Sequence, residues 1–189
     1  MTVSDNRSNI RLSGMACFSL LFSVVLLQPV WAQDAAPAFE LPDHTGQVQR
    51  LEDYRGKVVV LNFWATWCGP CAAEMPIFVD VQKRFGARGV VVLAASLDDD
   101  TTKANIPEFM RKRKMNFPAL VGATVDHLQL FGIGEALPGT VFLDREGRIF
   151  SRILGEAKMG DVFERVEWLL GERKRKEPKP LLDHIPKPR

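Results

Sequence analysis

The feature that most constrains the fold is a pair of cysteines between a buried-strand pattern and a helix pattern. Residues 58–64 are apolar at nearly every consecutive position, which is typical of a parallel strand covered on both faces. The run Cys68-Gly69-Pro70-Cys71 follows shortly after. Beyond Cys71, apolar residues recur mostly at helical spacing as far as residue 85. The sequence therefore predicts a strand, a turn and a helix, with both cysteines where the helix begins.

The rest of the chain alternates strand patterns with helix patterns. A first hairpin is expected at residues 39–51, and the chain ends its periodic part with a helix at residues 159–170. Between them lie predicted strands at 90–95 and 117–121, helices at 102–114 and 125–131, and a hairpin at 140–153. Such alternation predicts an α/β fold: a central mixed sheet with helices on both faces and an N-terminal β-hairpin extension.

The first 32 residues have the pattern of an export signal. Arg7 and Arg11 precede a stretch of apolar or small residues at 15–27, and small residues end the segment at Ala32, where we place cleavage. The alternative is an uncleaved membrane anchor, because residues 12–33 carry no charge and are just long enough to cross a bilayer. Either way the rest is exported, with residues 33–37 as a linker and 38–171 as one domain.

The C-terminal tail differs in composition from the domain. Residues 172–189 contain four prolines and seven Lys or Arg residues. Because such a segment buries little apolar surface, we predict that it is disordered. Alternatively, the tail tethers the domain electrostatically to anionic lipid or to an acidic partner. The formal charge of the whole chain is only +2, which gives no reason to expect a nucleic-acid partner.

The cysteine spacing suits thiol-disulfide exchange. The thiolate is the attacking species, and the N-terminus of a helix stabilises an anion at Cys68. Cys71 falls one turn into the helix, where its sulfur is more covered. We therefore expect Cys68 to form the mixed disulfide with a substrate and Cys71 to resolve it. Pro70 lacks an N–H group, which costs nothing in the first turn of a helix.

A zinc site is the main alternative use of two closely spaced cysteines. Structural zinc needs two further ligands. The third cysteine, Cys17, lies in the apolar N-terminal segment, and His44, His127 and His184 fall in a turn, a helix and the tail. We predict no metal site and no cofactor.

These motifs resemble the thioredoxin superfamily, and within it the exported branch of TlpA and ResA type. The resemblance covers residues 38–170 and is most specific at 59–76 and at 137–144. It implies a thioredoxin-like fold and a cis peptide bond before Pro138, which would pack against the disulfide. It also implies a substrate surface formed by Trp67, Gly69, Pro70, Leu137 and Pro138. Leu137 departs from the Thr or Val common there.

A second departure concerns the proton chemistry of Cys71. Many thioredoxins carry a buried acid at the position of Asn62, and an amide cannot act as a base. The TlpA and ResA branch has a functional glutamate at the position of Glu74, three residues after Cys71. The resemblance therefore makes Glu74 the expected proton acceptor. The alternative is a solvated glutamate that merely favours the helix start.

The direction of electron flow follows from the dipeptide between the cysteines. Gly-Pro is the thioredoxin dipeptide, and thioredoxin lies at the reducing end of its family. In the periplasm, where the domain would act free or tethered to the inner membrane, a reducing dithiol needs electrons from a membrane dithiol reductase. The resemblance suggests cysteine-containing exported clients, for example in cytochrome c or copper-site assembly. Two alternatives are an oxidase or isomerase, and a metallochaperone that holds copper(I) between Cys68 and Cys71.

Overall fold

The structure is a computed structural model that describes Met1, residues 35–172 and residues 176–185. The predicted export signal or anchor, its cleavage after Ala32 and the start of the linker lie outside the described residues. Within the described part of the chain, no helix is both long enough and apolar enough to span a bilayer.

A six-stranded mixed sheet forms the centre of the domain, with the strand order β5-β4-β3-β6-β7-β8. β3, β4 and β5 are parallel to one another, β6 is antiparallel to both of its neighbours, and β8 is parallel to β7. The expected mixed sheet of a thioredoxin-like fold is confirmed. The strands of the sheet are β3 (Val58–Trp64), β4 (Val90–Ser96), β5 (Ala119–Val121), β6 (Gly139–Leu143), β7 (Ile149–Leu154) and β8 (Leu181–Asp183).

β3 is the most buried strand, with all seven residues inside. Its side chains alternate between the two faces, so that Val60 and Trp64 join one apolar cluster while Leu61 and Phe63 join the other. An apolar residue at almost every position is what such two-sided burial requires. Asn62 is the polar exception, and it lies on the sheet face toward the functional site.

Helices cover both faces of the sheet. One face packs against α1 (Gly69–Phe85), α2 (Ile106–Arg113) and α4 (Met159–Leu169), and the other against α3 (Val125–Leu130). After α1, a short 3₁₀ turn ends at Gly89, whose φ of 89° lies in the left-handed region that glycine tolerates best. The chain thereby stops the helix and enters β4.

The N-terminal hairpin consists of β1 (Glu40–Pro42) and β2 (Val48–Arg50), which pair only with each other as a sheet. Phe39 precedes it and packs edge-on against Phe131 at 5.4 Å between ring centroids. The predicted hairpin is confirmed. The linker prediction needs correction, because Ala35 bridges to Arg148, which makes residue 35 part of the fold.

The prediction of disorder across residues 172–189 is wrong for residues 181–183. They form β8, which pairs with Arg152, Ile153 and Leu154 of β7. Leu182 packs against the core, and the amide of Arg152 donates to the carbonyl oxygen of Pro180 at 2.9 Å. The prediction rested on the average composition of the tail. That average does not show that Leu182 can pack against the core, or that the edge of β7 can pair with the backbone of residues 181–183.

Candidate active site

The cysteine pair lies where β3 passes into α1. Cys68 is the N-cap of the helix, with extended backbone angles of φ −86° and ψ 106°. Its sulfur accepts the Cys71 amide at 3.2 Å, so one of the unpaired N–H groups of the first turn points at Sγ. The two sulfurs are joined as a disulfide, with the Cα atoms 5.3 Å apart. The expected position at the helix start is confirmed.

The two sulfurs differ in their exposure. The Cys68 residue keeps 6% of its surface exposed, whereas Cys71 has none. An incoming disulfide can reach only the first of them. The positive end of the α1 dipole and the Cys71 N–H together favour a negative charge on the Cys68 sulfur when the pair is reduced.

Cys68 opens onto a cleft of about 880 Å³. Part of its wall comes from the ends of parallel strands: the segment 97–100 follows β4, and residues 121–125 include the last residue of β5 and the four that follow it. The carboxyl ends of the parallel strands of an open α/β sheet are where ligands usually bind. The nucleophilic position therefore faces a cavity large enough for a peptide segment.

The predicted substrate-binding residues divide into two groups. Trp67, Pro70 and Leu137 line the cleft, and Trp67 is 63% exposed despite its size. Gly69 is exposed and Pro138 is buried, and neither lines this cavity. The peptide bond between Leu137 and Pro138 is cis, as the resemblance implies.

Glu74 is fully buried and held from two sides. Asn62 donates its Nδ2 to Oε1 at 2.7 Å, and the Ala157 amide donates to Oε2 at 2.6 Å. Burial raises the pKa of Glu74 to about 8, although both hydrogen bonds oppose the shift; the nearby charge of Glu156 adds to it. The alternative of a solvated Glu74 is wrong.

Asn62 explains how a carboxyl group can lie so deep. Its amide nitrogen also donates to the Thr140 hydroxyl at 3.1 Å, which anchors the amide between β3 and β6. The polar residue at the centre of an apolar strand is therefore the partner of Glu74. Many thioredoxins carry an acid at this position of β3. Here the residue is the amide Asn62, which donates a hydrogen bond to an acid on α1, Glu74.

Asp98 has a role that the sequence did not suggest. The acids at 98–100 are expected to cap a helix, but the 3₁₀ turn and α2 that follow have Thr102 and Asn105 as their N-caps. Asp99 accepts the Thr101 amide at 2.9 Å within the preceding turn. Asp98 instead is almost fully buried and accepts the amide of Thr66 at 2.9 Å and the hydroxyl of Ser96 at 2.5 Å. It thereby fixes the turn that leads into Cys68. The available signal was its position just after β4, the parallel neighbour of β3.

In the described part of the chain, the side chains that could bind a metal ion do not form a cluster. Among the residues that the structure describes, no group of three or more His, Cys, Asp or Glu side chains has the geometry for a metal ion. His44 lies in the hairpin turn, His127 caps α3, and His184 contacts Asp161 at 3.0 Å after β8.

Comparison with known proteins agrees with this geometry. A model of the AhpC/TSA family matches residues 32–152. The thiol-disulfide oxidoreductase ResA of Geobacillus thermodenitrificans is 36% identical over 132 residues, 70% of this chain and 74% of the relative. ResA of Bacillus cereus is 33% identical over 121 residues, 64% of this chain and 68% of the relative.

A solved structure from Chlorobium tepidum, described as a thiol:disulfide interchange protein DsbE, superposes with a TM-score of 0.66 at 31% identity. The match covers 73% of this chain and 96% of the Chlorobium chain. The fold, the paired cysteines and the extent of these matches agree. The chain therefore belongs to the AhpC/TSA family of thioredoxin-like proteins and is a ResA-like thiol-disulfide oxidoreductase.

Proposed function

We propose that this chain reduces disulfides in exported client proteins. The observation that carries the proposal is the asymmetry of the pair: Cys68 faces the cleft at a helix N-terminus, and Cys71 is fully buried. One sulfur is placed to meet a client, and the other can react only with its neighbour. The exposed Trp67 beside Cys68 offers apolar surface to a bound segment.

The reaction takes two exchange steps. The Cys68 thiolate attacks one sulfur of a client disulfide, which breaks the client S–S bond and releases the other client sulfur as a thiolate. Cys71 then loses its proton and attacks Cys68 Sγ, releasing the second client thiolate and forming the Cys68–Cys71 disulfide. Two electrons pass from the dithiol to the client, and the client thiolates take up two protons.

Glu74 is the proposed acceptor of the Cys71 proton, directly or through water. A thiol in water has a pKa of about 8.5, so a carboxyl whose pKa is about 8 exchanges a proton with it at little free-energy cost. An ordinary glutamate would be too weak a base by several orders of magnitude. Burial thus adapts the carboxyl to this thiol.

The Glu74→Gln variant tests this role. The rate of Cys71 attack on a Cys68 mixed disulfide, followed by stopped flow, should rise with pH through about 8 in the unaltered protein. In the variant only direct ionisation of the Cys71 thiol remains, so the rate near pH 8 should be lower and the pH profile should differ from that of the unaltered protein. Asp80→Asn removes a carboxylate from the same helix and should leave the profile unchanged. An unchanged profile in Glu74→Gln refutes the role of Glu74.

Export to the periplasm is the second part of the proposal. It is supported by the charge and apolar pattern of residues 1–32. There the oxidised pair has to be reduced again, which makes a membrane dithiol reductase the proposed electron donor. Clients in cytochrome c or copper-site assembly, and association with the inner membrane, are the corresponding proposed partners and location.

A substrate trap tests the whole proposal. In Cys71→Ala, Cys68 should remain in mixed disulfides with clients, which dithiothreitol releases and mass spectrometry identifies. The double variant Cys68→Ala, Cys71→Ala is the matched control and should capture nothing. Exported proteins with cysteine pairs among the captured species support the proposal. A trap that captures none overturns it, and copper(I) titration of the reduced protein then tests the metallochaperone alternative.

A further inference from the structure

The C-terminal segment, residues 179–185, is attached to the edge of β7 and to α4. Beyond the pairing of β8, the amide of His184 donates to the carbonyl oxygen of Leu154 at 2.8 Å. The imidazole of His184 contacts Asp161, in the first turn of α4, at 3.0 Å. The segment is thus fixed at both sides of the loop that joins β7 to α4.

A buried arginine provides a further attachment. Arg165 of α4 is 1% exposed, and its Nη2 donates to the carbonyl oxygen of Lys179 at 2.9 Å. Its Nε donates to the hydroxyl of Ser151 at 2.6 Å, and this hydroxyl in turn donates to the same Lys179 oxygen at 3.1 Å. A buried guanidinium group needs such acceptors. The C-terminal segment supplies one of them.

The segment also lies directly against the loop between β7 and α4. At Gly155, where φ is 81°, an added Cβ would approach the carbonyl carbon of His184 to 3.0 Å and the nitrogen of Ile185 to 3.1 Å. Only glycine fits this backbone-to-backbone contact without displacement. The segment therefore limits the space available to the backbone at Gly155.

The same loop donates two hydrogen bonds to the redox site. The Gly155 amide donates to the carbonyl oxygen of Pro138 at 2.9 Å, and the Ala157 amide donates to Oε2 of Glu74 at 2.6 Å. Residues 155–157 therefore lie between the C-terminal segment on one side and the cis-proline and the buried acid on the other.

We propose that the C-terminal segment is a positioning element of the redox site, which holds residues 155–157 so that the Ala157 N–H stays on Glu74. The inference rests on the proposed function of Glu74. It gives the segment a part in proton transfer, although the hydrogen bonds described above attach it to β7 and α4. Detaching β8 should change how readily Glu74 exchanges its proton.

The groups around Glu74 affect its pKa in opposite directions. Glu156 on the loop is the charged neighbour that acts on it, Asn62 on β3 is neutral, and the bonded cysteines do not titrate. Burial is the largest cause of the raised pKa, and the charge of Glu156 acts the same way. A loosened loop admits water and moves Glu156 away, which lowers the pKa, whereas loss of the Ala157 donor raises it. The pKa of Glu74 should therefore change when β8 detaches.

Two substitutions on β8 form a matched pair. Leu182 packs against the core, whereas its neighbour Leu181 points outward and is 48% exposed. Leu182→Asp should detach β8 because it would bury a charge, and Leu181→Asp adds the same charge to solvent. The carboxyl titration of Glu74 is measured by carbon NMR in the disulfide-bonded protein, where the cysteines do not titrate. Amide exchange of Ala157 reports the state of the loop.

We expect the midpoint of the Glu74 titration to shift by at least about 0.5 in Leu182→Asp and to stay unchanged in Leu181→Asp. Exchange at Ala157 should become faster only in the former. An unchanged midpoint, with exchange showing β8 detached, overturns the proposal. If Leu182→Asp fails to fold, deletion of residues 181–189 removes β8 without burying a charge, and the same two outcomes decide.

Failure of this inference is distinguishable from failure of the proposed function. The titration of Glu74 is observed without any turnover. An unchanged pH profile in Glu74→Gln would refute the role of Glu74 as proton acceptor while leaving the effect of β8 on Glu74 measurable. A trap without clients would likewise leave that measurement untouched.

Discussion

The buried carboxyl of Glu74 makes the folding stability of the oxidised protein depend on pH in a defined way. Its pKa is about 8 in the folded protein against 4.5 in the unfolded chain. The folded state therefore binds this proton more tightly. The resulting stabilisation is fully present below pH 4.5 and is progressively lost as the pH rises through about 8. Keeping the disulfide intact removes the cysteines from this titration.

The size of the effect follows from the shift. Between pH 5 and pH 8 the free energy of unfolding should decrease by about 3 to 4 kcal/mol from this group alone, since each pKa unit corresponds to about 1.4 kcal/mol. Glu74→Gln does not titrate and should lack this decrease. The carboxyl oxygens of Glu74 accept from two donors, so the NH₂ group of the introduced glutamine faces one of these donors. This contact lowers the free energy of unfolding of the variant by about 1 to 3 kcal/mol at every pH.

Urea denaturation followed by tryptophan fluorescence measures these quantities at pH 5 and at pH 8. The informative number is the difference between the variant and the unaltered protein at each pH, because other titrating groups cancel in it. Asp80→Asn is the control on the same helix and should differ little between the two pH values. The reasoning is refuted if the difference for Glu74→Gln is the same at both.

Three further expectations concern the site and the core. In the reduced protein at pH 7, iodoacetamide should alkylate Cys68 at least about tenfold faster than Cys71, by peptide mass spectrometry, because only Cys68 is a reachable thiolate; equal rates would contradict this. Asp98→Ala should lower the free energy of unfolding by about 2 to 4 kcal/mol, since it leaves the Thr66 amide without its acceptor. Phe63→Ala should cost about 3 to 5 kcal/mol in the same denaturation assay, and a cost below 1 would mean that β3 is not the packed centre.

The sequence predicts well those elements whose pattern lies within a short run of neighbouring residues. Continuous apolar residues identified β3, and Cys68 with Pro70 identified the start of α1, because both signals lie in residues that are adjacent in the sequence. The turn at 144–147 likewise predicted the last hairpin, confirmed as β6 and β7. The position of the cysteine pair is therefore predictable from the amino-acid sequence alone.

The residues that the sequence did not reveal are those whose partners lie far along the chain. Asp98 reads as a helix cap, but its partner Thr66 is 32 residues earlier. The hydrogen bond from Ala157 to Glu74 spans 83 residues. β8 forms because a distant strand edge is free to pair with it. Such contacts depend on the assembled sheet, and periodicity along the chain does not report them.

The two extensions of the core sheet lie at its opposite margins. The amide of His44, in the turn between β1 and β2, donates to the carbonyl oxygen of Ala119 on β5, at 2.8 Å. β8 pairs with the last three of the six residues of β7 and forms the outermost strand there. Unpaired strand margins are templates for the addition of other chains. The hairpin at one margin and β8 at the other therefore leave less edge backbone open to the addition of a strand from another chain, which lowers the risk of aggregation.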